Sequence, residues 1–268
     1  MSSSPPKPTA AAGGLASIDV AVLAGGLGTR LRSVLGETPK ILAPVGGRPY
    51  LDHLLTWLAG YGARRVVLCL GFRAELVLEH LKRHPFSGLE VATSVEPEPL
   101  GTAGGLRLAV PLLKSDPVLV MNGDTFVDAD LTAFVEAHRR TRAAASVLCA
   151  TVPSTARYGR LDIDATGWIS RFREKDPADT GAGPINAGLY LFSQAWLSDF
   201  ARGSAPSLER DVFAKAAAGT FHAVPAGDVA FVDIGTPESY AEAETILGRA
   251  LKRPAAGISR PSVTRSVA

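Results

Sequence analysis

The sequence predicts an α/β domain, a three-layer sandwich around a mixed, mostly parallel central sheet, and two observations predict it. Over the first half of the chain, short apolar runs of strand length alternate with longer stretches of helical periodicity, the order that gives βαβ units and a sheet covered by helices on both faces. From Ala145 the pattern shortens to strand-like runs, SVLCATV, YGRLDID, WISRFRE and INAGLYLF, with two helices among them. A mixed sheet finishing a Rossmann-like domain accounts for that change. At 268 residues, 46% of them hydrophobic, the chain can bury a sizeable core as one domain.

In chain order, strands are predicted over 18–23, 65–71, 89–95 and 118–121, and helices over 50–59, 74–82, 103–113 and 131–142, then near 207–218 and 237–251. The first run is β-branched and breaks at once into glycines, as a buried strand does at a tight turn. Residues 1–17, MSSSPPKPTAAAGGLAS, have no long apolar core and read as a disordered extension, and 252–268 read as a disordered tail. The single folded domain is therefore placed at 18–251. No repeat of fixed period follows it, so no appended β-helix is expected.

Composition excludes several classes of partner. A formal charge of +2 gives no blanket basic field, so no nucleic acid is expected and any anion site must be local. Neither a signal peptide nor a membrane-spanning run is present, so no membrane association is expected. Cys69 and Cys149 lie in the apolar runs VVLCL and SVLCA, where a small buried hydrophobe is expected, and this fits a reducing, cytoplasmic setting. A homo-oligomer is left open.

The stretch VAVLAGGLGTRLRSVLGETPK, 20–40, carries the first chemistry. Gly25, Gly26 and Gly28 remove the Cβ atoms that would hold a ligand off the backbone, so successive N–H groups can converge on phosphate oxygens. Thr29, Arg30 and Lys40 add a hydroxyl and two positive charges. A dinucleotide fingerprint needs a third glycine where Leu31 stands, and a Walker A loop needs Gly-Lys-Ser/Thr where Gly28, Thr29 and Arg30 stand. The stretch instead resembles the GGxGTRL...PK signature of the sugar-1-phosphate nucleotidyltransferases, which make nucleotide-sugars from a nucleoside triphosphate and a sugar 1-phosphate.

That resemblance implies the nucleotide-diphospho-sugar transferase fold, similar to GT-A, with the nucleotide over the N-terminal half and the sugar over the second. It places Leu23, Ala24, Gly25, Gly26, Gly28, Thr29, Arg30 and Asn122 around the nucleotide. In EPEPLGTAGGLRL, a GTAG segment of the guanylyltransferase form, Gly101 and Thr102 contact the nucleotide, and Glu96 or Glu98 accepts from a guanine edge.

Asp124 ends the run PVLVMNGD, and a carboxylate beyond a strand's carboxyl end faces the cleft of an open α/β sheet. Asp128-Ala129-Asp130 also spells a DxD, but Asp130 stands where a helix begins and reads as its N-cap. Asp233 ends VAFVD before Gly235, Thr236 and Pro237. The resemblance pairs Asp124 with Asp233 as ligands of Mg2+, which takes one or two protein carboxylates plus phosphate oxygens.

For the sugar phosphate the resemblance implies Tyr158 and Gly159, Glu174 and Lys175 of RFREKDP, and Asn186 of INAGLY, although the family's proline falls at Pro177 rather than directly after the lysine. Lysine makes up only seven of 28 basic residues, yet it stands at both 40 and 175, where the pattern asks for it. The implied catalytic cations are Arg30, Lys40 and Lys175. AGGLGTRLRSV, EPLGTAGG, LVMNGDTFVD, Arg157 to Gly159 and FVDIGTPESY are most similar to the D-glycero-α-D-manno-heptose 1-phosphate guanylyltransferases, which implies GTP and that heptose phosphate as substrates. The alternatives are a mannose-1-phosphate guanylyltransferase, another hexose-1-phosphate nucleotidyltransferase, or a non-catalytic homologue that binds nucleotide-sugars.

Overall fold

The computed structural model describes residues 14–173, 176–227 and 229–250, the last three by backbone alone. The elements run β1 (Val20–Ala24), α1 (Arg32–Leu35), β2 (Pro44–Val45), β3 (Arg48–Pro49), α2 (Tyr50–Gly60), β4 (Arg65–Leu70), α3 (Ala74–Arg83), β5 (Glu90–Val95) and α4 (Gly101–Ala109). They continue with β6 (Val118–Asn122), β7 (Thr125–Val127), α5 (Leu131–Thr141), β8 (Ala145–Val152), β9 (Leu161–Ile163), β10 (Ile169–Phe172), β11 (Gly183–Phe192), α6 (Gln194–Phe200), a π-helical turn Leu208–Phe213, β12 (His222–Pro225), β13 (Phe231–Asp233) and α7 (Pro237–Ala250). No described helix is long and apolar enough to cross a membrane.

Seven strands form the main sheet in the order β12-β8-β11-β6-β1-β4-β5. All neighbours are parallel except β11, which runs against both β6 and β8. Alternation along the strands divides the core. Val20, Val22, Val66, Leu68, Leu119 and Met121 pack with α2, α3, α5 and α7. Ala21, Val67, Cys69, Val118 and Val120 pack with α4, α6 and the π-helical turn. Period-two side chains thus bury both faces, which is why these strands read as continuous apolar runs. The predicted three-layer, mostly parallel mixed sheet is what the chain forms.

Topology then positions the site. From β1 the chain moves outward through β4 and β5, then returns to the other side of β1 as β6. That reversal opens a crevice beyond the carboxyl ends of β1 and β6, where open α/β sheets bind ligands. Beside it, β7 and β13 make an antiparallel ladder with Asp233 opposite Thr125. The fully buried Tyr50 ties α2 to this ladder by donating its hydroxyl to the Thr125 carbonyl at 2.8 Å, and burial, then the charge of Asp124, raises its phenol above the ordinary range.

Several sequence expectations change. Residues 14–17, assigned to the disordered extension, are packed: Leu15 is fully buried and its N–H donates to the Tyr61 carbonyl at 3.0 Å. A lone leucine in a Gly/Ala/Ser stretch carries no periodicity to reveal this. The helix expected over 103–113 starts at Gly101 and gives way after Ala109 to a 3-10 turn, Val110–Leu112, that contains Pro111. The one near 207–218 is the six-residue π-helical turn. The remainder of both predicted tails lies outside the described residues.

Candidate functional site

β1 delivers the glycine loop to the crevice. Gly28 has φ 59 and ψ 26, the left-handed region, and its carbonyl accepts from Leu31 N–H to start the turn Thr29–Leu31. Gly28 therefore needs its missing Cβ for conformation as well as for approach. Gly28→Ala is expected to cost about 1 to 2 kcal/mol, lowering the thermal midpoint by a few degrees and weakening nucleotide binding. Calorimetry with isothermal titration checks it; a folded variant with unchanged nucleotide affinity speaks against a phosphate loop.

A cavity of about 520 Å³ opens beneath the loop. Leu23, Ala24, Gly25, Gly26, Gly28 and Thr29 line it from β1 and the loop, and Glu96, Gly101, Thr102 and Asn122 line it from the neighbouring elements. Of the two glutamates, Glu98 is exposed and lines no described cavity, whereas Glu96 faces this one. The Glu96 Oε2 accepts from Leu100 N–H at 2.9 Å. Its Oε1 occupies space that glycines leave: a Cβ on Gly25 would stand 2.6 Å from it, and one on Gly105 2.4 Å. Cys69 also lines the cavity, with a thiol pushed up to about 12 by burial and then by the Glu96 charge, so it is inert toward electrophiles at neutral pH.

A second cavity of about 600 Å³ adjoins the first. Arg30 lines this one, next to the shared Gly28 and Thr29, with Tyr158, Gly159, Asn186 and Asp233. The Tyr158 ring stands edge-on to Phe231 with centroids 5.3 Å apart. Asn186 is fixed at both ends of its amide, Nδ2 donating to the Tyr190 hydroxyl at 2.9 Å and Oδ1 accepting from Gly188 N–H at 2.9 Å. Glu174 and Lys175 lie outside the described residues.

Gly28, Thr29, Lys40, Asn122, Asp124 and Glu209 line both cavities. Lys40 Nζ donates to Asp124 Oδ2 at 2.7 Å. Asp233 is brought beside Asp124 by the β7–β13 ladder, and the Asp124 carbonyl accepts from Ile234 N–H at 2.8 Å. Asp233 Oδ1 is buried without a hydrogen-bond partner among the described residues, with the Arg157 guanidinium at 3.9 Å. Two carboxylates on neighbouring rungs, one holding an orphaned buried oxygen, suit a hard divalent cation with oxygen ligands. Asp130 instead caps α5, accepting from Thr132 N–H and Ala133 N–H at 2.9 and 3.1 Å.

Residues 20–249 match the profile of the nucleotidyl transferase family. This chain belongs to that family. Among curated relatives, the D-glycero-alpha-D-manno-heptose 1-phosphate guanylyltransferase of Campylobacter jejuni subsp. jejuni serotype O:2 is 33% identical over 82% of this chain and 95% of its own. The mannose-1-phosphate guanylyltransferase of Mycobacterium tuberculosis is 32% identical over 87% of this chain, which spans only 66% of that relative's length. Among solved structures, HddC from Yersinia pseudotuberculosis complexed with GMP-PN superposes with a TM-score of 0.76 at 33% identity, covering 85% of this chain and 98% of that one.

This nucleotidyltransferase also brings residues to its cavities that sequence reasoning passed over. Beside them Arg157, which lines neither cavity, donates to Thr236 Oγ1 at 3.3 Å and stands 3.9 Å from Asp233 Oδ1. Phe172, Arg173, Ser207 and Arg210 line the second cavity, and Glu209 lines both. In SLERD the alternating charges read as a solvated face, and no local pattern separates Glu209 from its neighbours.

Proposed function

We propose that the chain is a sugar-1-phosphate guanylyltransferase that joins GTP to D-glycero-α-D-manno-heptose 1-phosphate, giving the nucleotide-sugar and pyrophosphate. One observation carries the reading: two cavities meet at a shared wall holding the glycine loop, Lys40 and Asp124, so two anionic substrates can meet end to end. The acceptor phosphate oxygen is already anionic at neutral pH, so no general base is needed. That oxygen attacks the α-phosphorus in line, the bond to the β-phosphate bridging oxygen breaks, and pyrophosphate leaves with the electron pair. The protein's part is positioning and charge.

Loop N–H groups and Arg30 hold the triphosphate, and Lys40 moves with the developing charge. Glu96 accepts from the guanine edge, while Gly101 and Thr102 pack against the nucleotide. Lys175 holds the acceptor phosphate, Glu174 accepts from sugar hydroxyls, and Tyr158, Gly159 and Asn186 frame the ring. Asp124 and Asp233 are the residues to hold Mg2+, which when bound offsets negative charge on the phosphates. The reaction is cytoplasmic and involves neither nucleic acid nor membrane.

Heptose is favoured over mannose by the motifs AGGLGTRLRSV, EPLGTAGG, LVMNGDTFVD and FVDIGTPESY, which are most similar to those of the heptose 1-phosphate guanylyltransferases. Pyrophosphate release from four nucleoside triphosphates, each paired with heptose, mannose, glucose and galactose 1-phosphates, tests the reading. GTP with the heptose phosphate is expected to give the highest kcat/KM. Release from no pairing would return the chain to a non-catalytic role.

A further inference from the structure

We propose that Glu209 is a further specificity-determining residue, its free carboxylate oxygen accepting a hydrogen bond from a hydroxyl of the acceptor sugar at the wall between the two cavities. This rests on the guanylyltransferase reading above. Glu209 belongs to the π-helical turn Leu208–Phe213, a rare element concentrated at functional sites. Its neighbours Ser207, Arg210 and Ala214 line only the second cavity, so the turn belongs to the acceptor side; Glu209 alone reaches through to the first.

The turn is locked against the nucleotide side by backbone contact. Ala103 N–H donates to the Pro206 carbonyl at 3.1 Å, and a Cβ on Gly101 would stand 2.3 Å from that same oxygen. Thr102 Oγ1 accepts from Leu208 N–H at 2.9 Å and donates to Glu209 Oε2 at 3.0 Å, while Ser207 Oγ donates to the same oxygen at 3.3 Å. The carboxylate also stands at the N-terminus of α4, whose first turn has no acidic residue of its own, and the helix dipole favours negative charge there.

Both donors engage Oε2, and among the described residues Oε1 has no hydrogen-bond partner. Asn186, whose amide donates to the Tyr190 hydroxyl, lines the same cavity as Glu209. A carboxylate held rigid beside phosphate-binding groups repels phosphate and can only accept from a ligand. Sugar hydroxyls are the donors that the acceptor brings.

The test uses full-length protein with GTP, D-glycero-α-D-manno-heptose 1-phosphate and its monodeoxy analogues. A hydrogen bond to a charged group is worth roughly tenfold to a hundredfold. Wild type is expected to lose that much kcat/KM on one deoxy analogue. Glu209→Ala loses it on the parent sugar and loses nothing more on that analogue, still discriminates against the others, and changes the KM for GTP by less than about threefold. Glu209→Gln, which keeps an oxygen for Thr102 and Ser207, shows the same pattern at smaller amplitude and decides the matter if the alanine variant does not fold. Unchanged discrimination in both variants overturns the role of Glu209 alone. So does loss of discrimination between GTP and 2′-deoxy-GTP, which would put the carboxylate on the ribose. Absence of pyrophosphate release by wild type would instead remove the reaction, and this role with it.

Discussion

Asp124→Asn and Asp233→Asn are each expected to lower turnover by at least about 10² to 10³, the range for removing one preorganised electrostatic stabiliser of a transition state. The double variant is expected to be little worse than the worse single one. The two carboxylates reach one place by a rigid route: Asp233 pairs with Thr125 in the β7–β13 ladder, and Ile234 N–H donates to the Asp124 carbonyl at 2.8 Å. As the proposed ligands of one cation they act as a unit, and residues that act as a unit are not additive. Folding should survive, because asparagine is nearly isosteric and the Lys40–Asp124 pair is partly solvated, the Asp124 side chain being 39% exposed, which limits its contribution to about 1 kcal/mol or less. Asp130→Asn is the control. Its side chain caps α5, asparagine caps as well as aspartate, and near wild-type turnover is expected. Turnover measured across magnesium concentrations checks all four proteins; full activity in Asp124→Asn, or a collapse in Asp130→Asn, would mean the wrong aspartate was chosen.

What the sequence made legible here was chemistry tied to a strand end. The run 20–24 breaks into glycines, and 118–122 leads into Asp124, so a periodicity argument and a composition argument point at the same edge. The main sheet was readable for the same reason, since β1, β4 and β6 are buried on both faces and stay apolar throughout. Three-residue elements were not. β7 and β13 carry too few positions for a period, so the pairing of Asp124 with Asp233 came from resemblance rather than pattern, and the ladder that unites them had no signal in the sequence. Glu96 and Glu98 are equivalent in sequence, and what separates them is space: Gly25 and Gly105, from different elements, vacate room beside Glu96. Glu209 reaches the same wall through contacts more than a hundred positions away in the chain, where no local rule applies.

Lys40→Met is expected to move two measurements in opposite directions. Methionine keeps the unbranched stem that the glycine loop covers, where a Cβ on Gly28 would stand 4.0 Å from Lys40 Cβ and Cε, so packing is retained and only the ammonium is lost. Turnover should fall by about 10² to 10³, because Lys40 lines both cavities, at the wall where the proposed transfer between phosphates takes place. In the free protein the same ammonium stands 2.7 Å from Asp124 Oδ2 and neutralises it. A divalent cation approaching Asp124 therefore meets a fixed positive charge, and two unit charges about 4 Å apart near a protein surface repel by up to ~4 kcal/mol before solvent screening. Screening at a partly exposed pair reduces this to about 1 kcal/mol or somewhat more. The variant without nucleotide should thus bind Mn2+ roughly tenfold more tightly than wild type, read from the loss of the free-ion electron paramagnetic resonance signal. Equal Mn2+ affinity in the two proteins would show that Lys40 does not shield the aspartate, and undiminished turnover would remove it from the path of the phosphates.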